Sequence, residues 1–361
     1  MRKLWKNHRM LVIIAGAVAS LALAAVAAAV ILGAGEFQEP PAPEVTSAWP
    51  VAERERTIPR PPEPVRWPLT GIDAVDAEAP AATRIVSVKI ENSPAARPQS
   101  NLDKADVVYE TLTEGGITRF NALYHSEGPA DVGPVRSARM SDTQVVPQYG
   151  ALFANSGSST GVNRALRAAG IENLNHGSTG VAYRRSQRRS APHNLYLDVS
   201  RIREVAAERG LATTQRLEGF EFSPAVESTL ATVRITVPFS RANTVAWTYD
   251  AEENVYLRVN NGSPHVDAVS GEQYSARNVV VMWARTSATG PSGIGGTTLE
   301  ISLVGSNRAT VFRDGVRIDC MWEASADKPP VFRDPAGRIV RLAPGNTWFQ
   351  VIPANVDIVI E

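Results

Sequence analysis

The sequence predicts an α+β protein of two domains behind a single N-terminal transmembrane helix, with a mixed α/β domain first and a mainly antiparallel β domain second. Three observations predict this. An apolar run from Met10 to Ala34 is long enough to span a bilayer. The stretch from Lys89 to Asp142 holds a readable hairpin followed by a helix start. From Val233 onward the chain becomes a succession of short β-rich runs, with Asp314-Gly315 among them as a strong hairpin turn. A length of 361 residues with 43% hydrophobic content suits two packed cores.

Arg2, Lys3, Lys6 and Arg9 precede the apolar run, and no Lys or Arg follows it until Arg54. The positive-inside rule makes residues 1–34 a cytoplasmic stub and signal anchor, with the bulk of the chain outside the cell membrane. A cleaved signal peptide is the alternative. Against it, the run is long for such a segment, and the small residues Ala24 to Ala29 lie inside it. Residues 35–66 are Pro-rich and polar, and PPAPE and PRPPEP read as a semi-rigid linker. Four of the 37 basic residues precede the span, which leaves 33 against 37 acidic residues outside it. That balance gives no basic footprint for nucleic acid. The single cysteine, Cys320, excludes an intrachain disulfide or a multi-cysteine metal site and reads as a packed apolar residue.

The first domain spans 67–227. Arg84 to Ile90 alternates as a strand, and two further β-rich runs, Val107 to Thr113 and Ile117 to His125, flank Glu114-Gly115-Gly116. Gly-Gly suits a two-residue turn in which both positions need positive φ. That turn pairs Glu114 with Ile117, Leu112 with Arg119 and Glu110 with Asn121. One face then carries Val107, Tyr109, Thr111, Phe120, Ala122 and Tyr124 as core. The other carries Glu110, Leu112, Glu114, Ile117, Arg119, Asn121 and His125. Arg119 lies diagonal to Glu110 and Glu114, roughly 7–8 Å from each. The plainer reading of the same residues is a solvated face with charge pairs worth about 0.2–1 kcal/mol each.

Pro134 as a first helical residue and Pro147 as a stop predict a helix over 134–146, with Arg136 and Arg139 on one face of its first turns. Cations are disfavoured at that end of a helix. The two arginines therefore call for an anion, either the two glutamates or a ligand phosphate, sulfate or carboxylate.

The segments ENSPAARPQSNLDKADVVYETLTEGGITRF, VGPVRSAR and SAPHNLY, within a span from Trp67 to Trp348, resemble the YerB-like family of bacterial envelope proteins, a family of uncharacterised function. The resemblance implies two adjoining domains, the N-terminal one carrying the hairpin and the C-terminal one smaller. It implies no established catalytic residues. Members of that family are often lipoproteins, whereas this chain has no cysteine near its N-terminus for lipid attachment.

Gly150 to Asn155 reads as a short buried strand, followed by a small-residue loop and a helix over 161–169 that stops at Gly170. Ser159 or Thr160 supplies an N-cap, although such a loop can also hold an anion. Arg184, Arg185, Arg188 and Arg189 precede His193 and Asn194 and form the densest positive patch outside the membrane, ordinarily a solvated loop. Ser200 caps a helix through Arg209, with Gly210 as its stop. Glu218 to Glu227 leads into the second domain, 228–361. There β runs are expected at Val233–Val237, Val245–Tyr249, Val255–Val259, Val279–Trp283, Leu299–Leu303, Ala309–Phe312, Val316–Met321, Ile339–Leu342 and Trp348–Ile352. Pro291 to Gly296 reads as a flexible loop, and Trp322 and Trp348 as core or groove aromatics.

These residues suit a non-enzymatic envelope module that binds an anionic wall polymer, lipid head group or envelope protein through Arg119, Asn121, Arg136, Arg139, His193 and Asn194. The alternative is an envelope hydrolase or transferase with Glu110 or Glu114 as base and His125 or His193 as acid or base. As a glycosidase pair the two glutamates fail. Four residues along one strand separate them by roughly 13 Å, against about 5–9.5 Å for such enzymes. His125, His176, His193 and His265 lack metal-ligand spacing, and no metal or cofactor is expected.

Overall fold

Period-two alternation marks strands such as Arg234–Ser240 and Val255–Asn260. Val86–Glu91, Thr118–Tyr124 and Asn278–Ala284 of the largest sheet are instead buried on both faces, and that sheet draws on both halves of the sequence. The computed structural model describes residues 64–361 apart from 216, 227 and 293–295. The expected span over Met10 to Ala34 and all but the end of the linker lie outside the described residues. Among those described, no helix is long and apolar enough to cross a membrane.

In chain order the first strands are β1 (Val86–Glu91), β2 (Val107–Leu112), β3 (Thr118–Tyr124), β4 (Leu152–Ala154), β5 (Tyr183–Arg185) and β6 (Leu195–Leu197). Next come β7 (Arg234–Ser240), β8 (Asn243–Asp250), β9 (Val255–Asn260), β10 (Ser263–Pro264), β11 (Ser275–Ala276) and β12 (Asn278–Ala284). The last are β13 (Thr286–Ser292), β14 (Gly296–Ile301), β15 (Gly305–Arg313), β16 (Val316–Ala324), β17 (Val331–Arg333), β18 (Thr347–Pro353) and β19 (Val359–Ile360). The protein is therefore mostly β with few helices.

Nine strands form one sheet in the order β17-β16-β15-β12-β18-β2-β3-β1-β4. Its centre departs from the antiparallel expectation, because β18 runs parallel to β12 on one side and to β2 on the other. A second sheet has the order β10-β9-β8-β7-β19, with β11 also against β9. Between the two sheets lies one core, with Val86, Val88, Ile90, Val108, Phe120 and Trp348 facing Ile235, Val237 and Trp247. On the far side of the large sheet, Val107, Tyr109, Leu123, Phe349 and Val351 pack with Val145, Val146, Val162 and Leu166 of two helices.

The hairpin forms one residue out of the expected register. Gly115 and Gly116 do take φ of 76° and 73°, but Glu114 joins them in a three-residue loop closed by Thr113 N–H donating to Ile117 O at 2.8 Å. Thr111 therefore faces Arg119, Glu110 faces Phe120 and Tyr109 faces Asn121. Phe120, Ala122 and Tyr124 keep their core face, while Val107, Tyr109 and Thr111 move to the other side. Apolar cover on both faces removes the penalty that would otherwise forbid this register.

No helix starts at Pro134. Glu91 N–H donates to Pro134 O at 2.9 Å and Arg136 N–H to Lys89 O at 2.8 Å, so residues 134–136 extend along β1. The helix is Asp142–Gln148, and Pro147 lies inside it. The next helix, Thr160–Ala168, is capped by Ser159, whose hydroxyl accepts from Val162 N–H. The helix Val199–Glu208 takes Asp198 as its cap instead of Ser200, its carboxylate accepting from Arg201 N–H. Asp314 and Gly315, at φ of 50° and 72°, make the expected turn between β15 and β16. Ile339 to Leu342 makes only isolated bridges. Of Pro291 to Gly296, expected as a loop, Pro291 and Ser292 instead end β13 and Gly296 opens β14, while 293–295 lie outside the described residues. Trp322, Trp348 and Cys320 are buried, and burial pushes the Cys320 thiol up to about 12.

Candidate functional site

The polar alternation Ser87, Lys89, Glu91 along β1 lays a charged stripe on the face opposite Val86, Val88 and Ile90. Register extends it across the sheet, with Glu91 beside Arg119 and Arg119 beside Thr111. Lys89 is fully buried and pairs with Asp142 Oδ1 at 2.7 Å. Burial lowers the Lys89 pKa, Asp142 raises it, and Arg119 and Arg139 lower it further. Asn121 donates to the same Asp142 oxygen at 3.1 Å and accepts from Ser87 Oγ at 2.6 Å. Asp142 Oδ2 accepts from Arg139 N–H at 2.6 Å, which ties the helix start to the segment that carries the arginines.

Residues 136–139 cross above this stripe. Arg119 Nη1 donates to Ser137 O at 2.8 Å and Arg139 Nη1 to the same oxygen at 3.2 Å, so one carbonyl holds two guanidinium groups together. Arg139 Nε donates to Glu114 Oε2 at 2.7 Å. Arg136 Nε lies 3.2 Å from Glu91 Oε2 as an ion pair, and His193 Nδ1–H donates to that oxygen at 3.0 Å. Ser93 Oγ donates to Glu91 Oε1 at 2.8 Å. Glu91 is 2% exposed in its side chain, whereas Arg136 and His193 are 22% and 28% exposed and meet solvent together. Burial lowers the Arg119 pKa to about 9, with Arg139 and Arg136 adding to the effect and Glu114 and Glu91 opposing it.

The structure thus gathers Arg119, Arg136, Arg139, Glu114 and His193, and adds Glu91. It removes the other expected members. Glu110 turns to the opposite face, where its carboxylate pairs with fully buried Arg258 at 2.8 Å and accepts from Thr118 Oγ1 at 2.7 Å. The Arg258 guanidinium stands 5.0–5.5 Å from the ring centres of Phe120, Trp247 and Trp348. Its Nε donates to His265 Nδ1 at 3.0 Å, and His265 Nε2–H donates to Gln99 Oε1 at 2.7 Å. Asn121 is buried in the Ser87–Asp142 network, away from solvent. Asn194 holds the arginine hairpin, donating to Ser186 O at 2.9 Å and accepting from Arg185 at 2.8 Å. Of the four arginines there, Arg189 bonds the carbonyls of Ala96 and Pro98, and Arg184 pairs with Asp131.

His125 is also structural. Its Nε2–H faces the carbonyls of Pro80 and Thr83, each at 3.0 Å. Burial depresses its pKa to about 4, Arg203 lowers it further, and the carbonyls oppose the change. An unfolded histidine titrates near 6.5, so between about pH 6.5 and 4 the unfolded chain binds a proton that the folded one refuses. Stability therefore falls as pH falls through that window, by up to about 3 kcal/mol from this residue. Urea midpoints at about pH 7 and pH 4.5 should show a smaller acid loss for His125→Gln than for the unaltered protein. Equal losses would contradict the assignment.

Sequence reasoning missed Glu91, Asp142 and Arg258. The Ser87-Lys89-Glu91 alternation was a usable signal for the first, while nothing local marks Arg258 as the partner of Glu110.

Residues 69–212 match the family described as protein of unknown function (DUF3048) N-terminal domain, and residues 235–349 match its C-terminal domain. A curated relative, "Putative lipoprotein YerB" of Bacillus subtilis (strain 168), is 28% identical over 308 residues, covering 83% of this chain and 90% of the relative. The crystal structure of YerB protein from Bacillus subtilis superposes with a TM-score of 0.73 at 28% identity, covering 82% of this chain and 99% of that one. The chain belongs to this YerB-like family, which is defined by its paired DUF3048 domains.

Proposed function

We propose that this protein is a membrane-tethered, extracytoplasmic module of the bacterial envelope that binds an anionic ligand at the Arg119–Arg136–Arg139 cluster. The carrying observation is the crowding of three guanidinium groups around Ser137 and Glu91, with one carbonyl holding Arg119 and Arg139 and one carboxylate facing Arg136. With Lys89 the stripe holds four cations, and Glu91, Glu114 and Asp142 supply three carboxylates. An anion entering beside Arg136 relieves that surplus, and arginine forks suit phosphate or carboxylate oxygens. The lipoprotein description of the Bacillus subtilis relative supports attachment to a membrane. In this chain the apolar run Met10 to Ala34 is the candidate tether.

The test is calorimetric binding of inorganic phosphate at low salt by the full chain in detergent micelles. The double variant Arg136→Ala/Arg139→Ala should bind at least about tenfold more weakly, and added salt should weaken binding to the unaltered protein. Equal binding by a folded double variant would refute the site. The Glu91–His193 pair is the observation that favours an envelope hydrolase or transferase instead, since a carboxylate-oriented imidazole can carry a proton. Turnover of a bound anion, lost in His193→Ala, would bring that reading forward.

A further inference from the structure

We infer that the anion this site takes is a polyol phosphate, a phosphate ester with a hydroxyl group a few bonds away that donates to His193 Nε2. The inference rests on the anion-binding reading above and adds the ligand's class. It starts from the tautomer. Glu91 Oε2 faces the Arg136 guanidinium and is an acceptor, so the ring hydrogen of His193 resides on Nδ1. In the neutral imidazole Nε2 is then left with a lone pair. It has no hydrogen-bond partner among the described residues, and the side chain is 28% exposed at the point where Arg136 also meets solvent.

A bare phosphate oxygen cannot satisfy that nitrogen, because both are acceptors. The neighbouring guanidinium groups demand the opposite, an acceptor-rich anion. Arg119 sharpens the demand, because its Nε is buried without a hydrogen-bond partner among the described residues while Nη1 is committed to Ser137 O. One ligand meets both requirements when it carries negative oxygens for the arginines and an O–H beside them for the imidazole. Phosphate suits the first part better than carboxylate, having more oxygens to spread over separate guanidinium groups. A polyol suits the second. Glu91 is the positioning residue, since its carboxylate fixes both the ring and Arg136, and Ser93 in turn fixes Glu91.

The test compares sn-glycerol 3-phosphate with n-propyl phosphate, which has the same length and charge but no hydroxyl. Both are titrated into the full chain in detergent micelles at about pH 8. The glycerol ester should bind about 3- to 10-fold more tightly, the value of one hydrogen bond. His193→Ala should erase that preference while still binding propyl phosphate, and Arg136→Ala should weaken both esters together. Equal affinities in the unaltered protein, or a preference that survives His193→Ala, would overturn the inference and leave anion binding standing. Failure of both esters to bind would overturn both readings. Competition by phosphatidylglycerol vesicles identifies a lipid source for the group, and competition by poly(glycerol phosphate) alone a polymer source. Either supports the assignment.

Discussion

Glu110→Ala is expected to cost about 3–5 kcal/mol of stability, because it strands Arg258 as an unpaired charge. Both side chains are fully buried, and the guanidinium lies among the rings of Phe120, Trp247 and Trp348. The pair itself need not be net stabilising, since two desolvated charges often do no better than apolar groups of similar volume. Glu110→Leu combined with Arg258→Met should therefore be closer to the unaltered protein than either single change. Urea denaturation of Glu110→Ala, the two single changes and the double variant checks this. A cost below about 1 kcal/mol for Glu110→Ala would mean that Arg258 finds another partner.

Asp142→Ala should be comparably severe, about 3–5 kcal/mol, for the same reason applied to Lys89. It also removes the acceptors for Asn121 and for Arg139 N–H, so it should loosen residues 136–139 and weaken phosphate binding as well. Lys89→Met combined with Asp142→Leu should recover stability but leave binding weak. Recovery of both would show that the helix start does not position the arginines.

Most of the longer strands were legible, as were the cap at Ser159 or Thr160 and the Asp314-Gly315 turn, whereas β13 and β17 were not expected and Ile339 to Leu342 makes only isolated bridges. The hairpin register was not legible. Two glycines with positive φ fit either a two-residue turn or the end of a three-residue loop. The hydrophobic pattern could not decide, because Val107, Val108 and Tyr109 are all buried, on alternating faces. Arg136 and Arg139 were found as a pair for the wrong local reason. They ride on an extended segment paired with β1, a long-range contact that helix signals at Pro134 cannot anticipate. Glu114 was placed correctly with the arginines, but Glu110 was not. Its true partner, Arg258, comes from the second sheet, and the spacing of residues around Glu110 carries no trace of it.

The parallel insertion of β18 between β12 and β2 bears on how the chain is made. As the polypeptide emerges from synthesis, β2 is complete long before its neighbour, because residues 113–346 must follow first. Until Thr347–Pro353 arrives, the inner edge of β2 shows unpaired N–H and C=O groups to whatever is nearby. Such late pairing of distant segments slows folding and exposes the nascent chain to aggregation. A holdase that shields extended chains would suit this protein more than one that acts on finished domains. A translation product that stops short of Thr347 would keep that edge of β2 open, and β12 would likewise lack its neighbour.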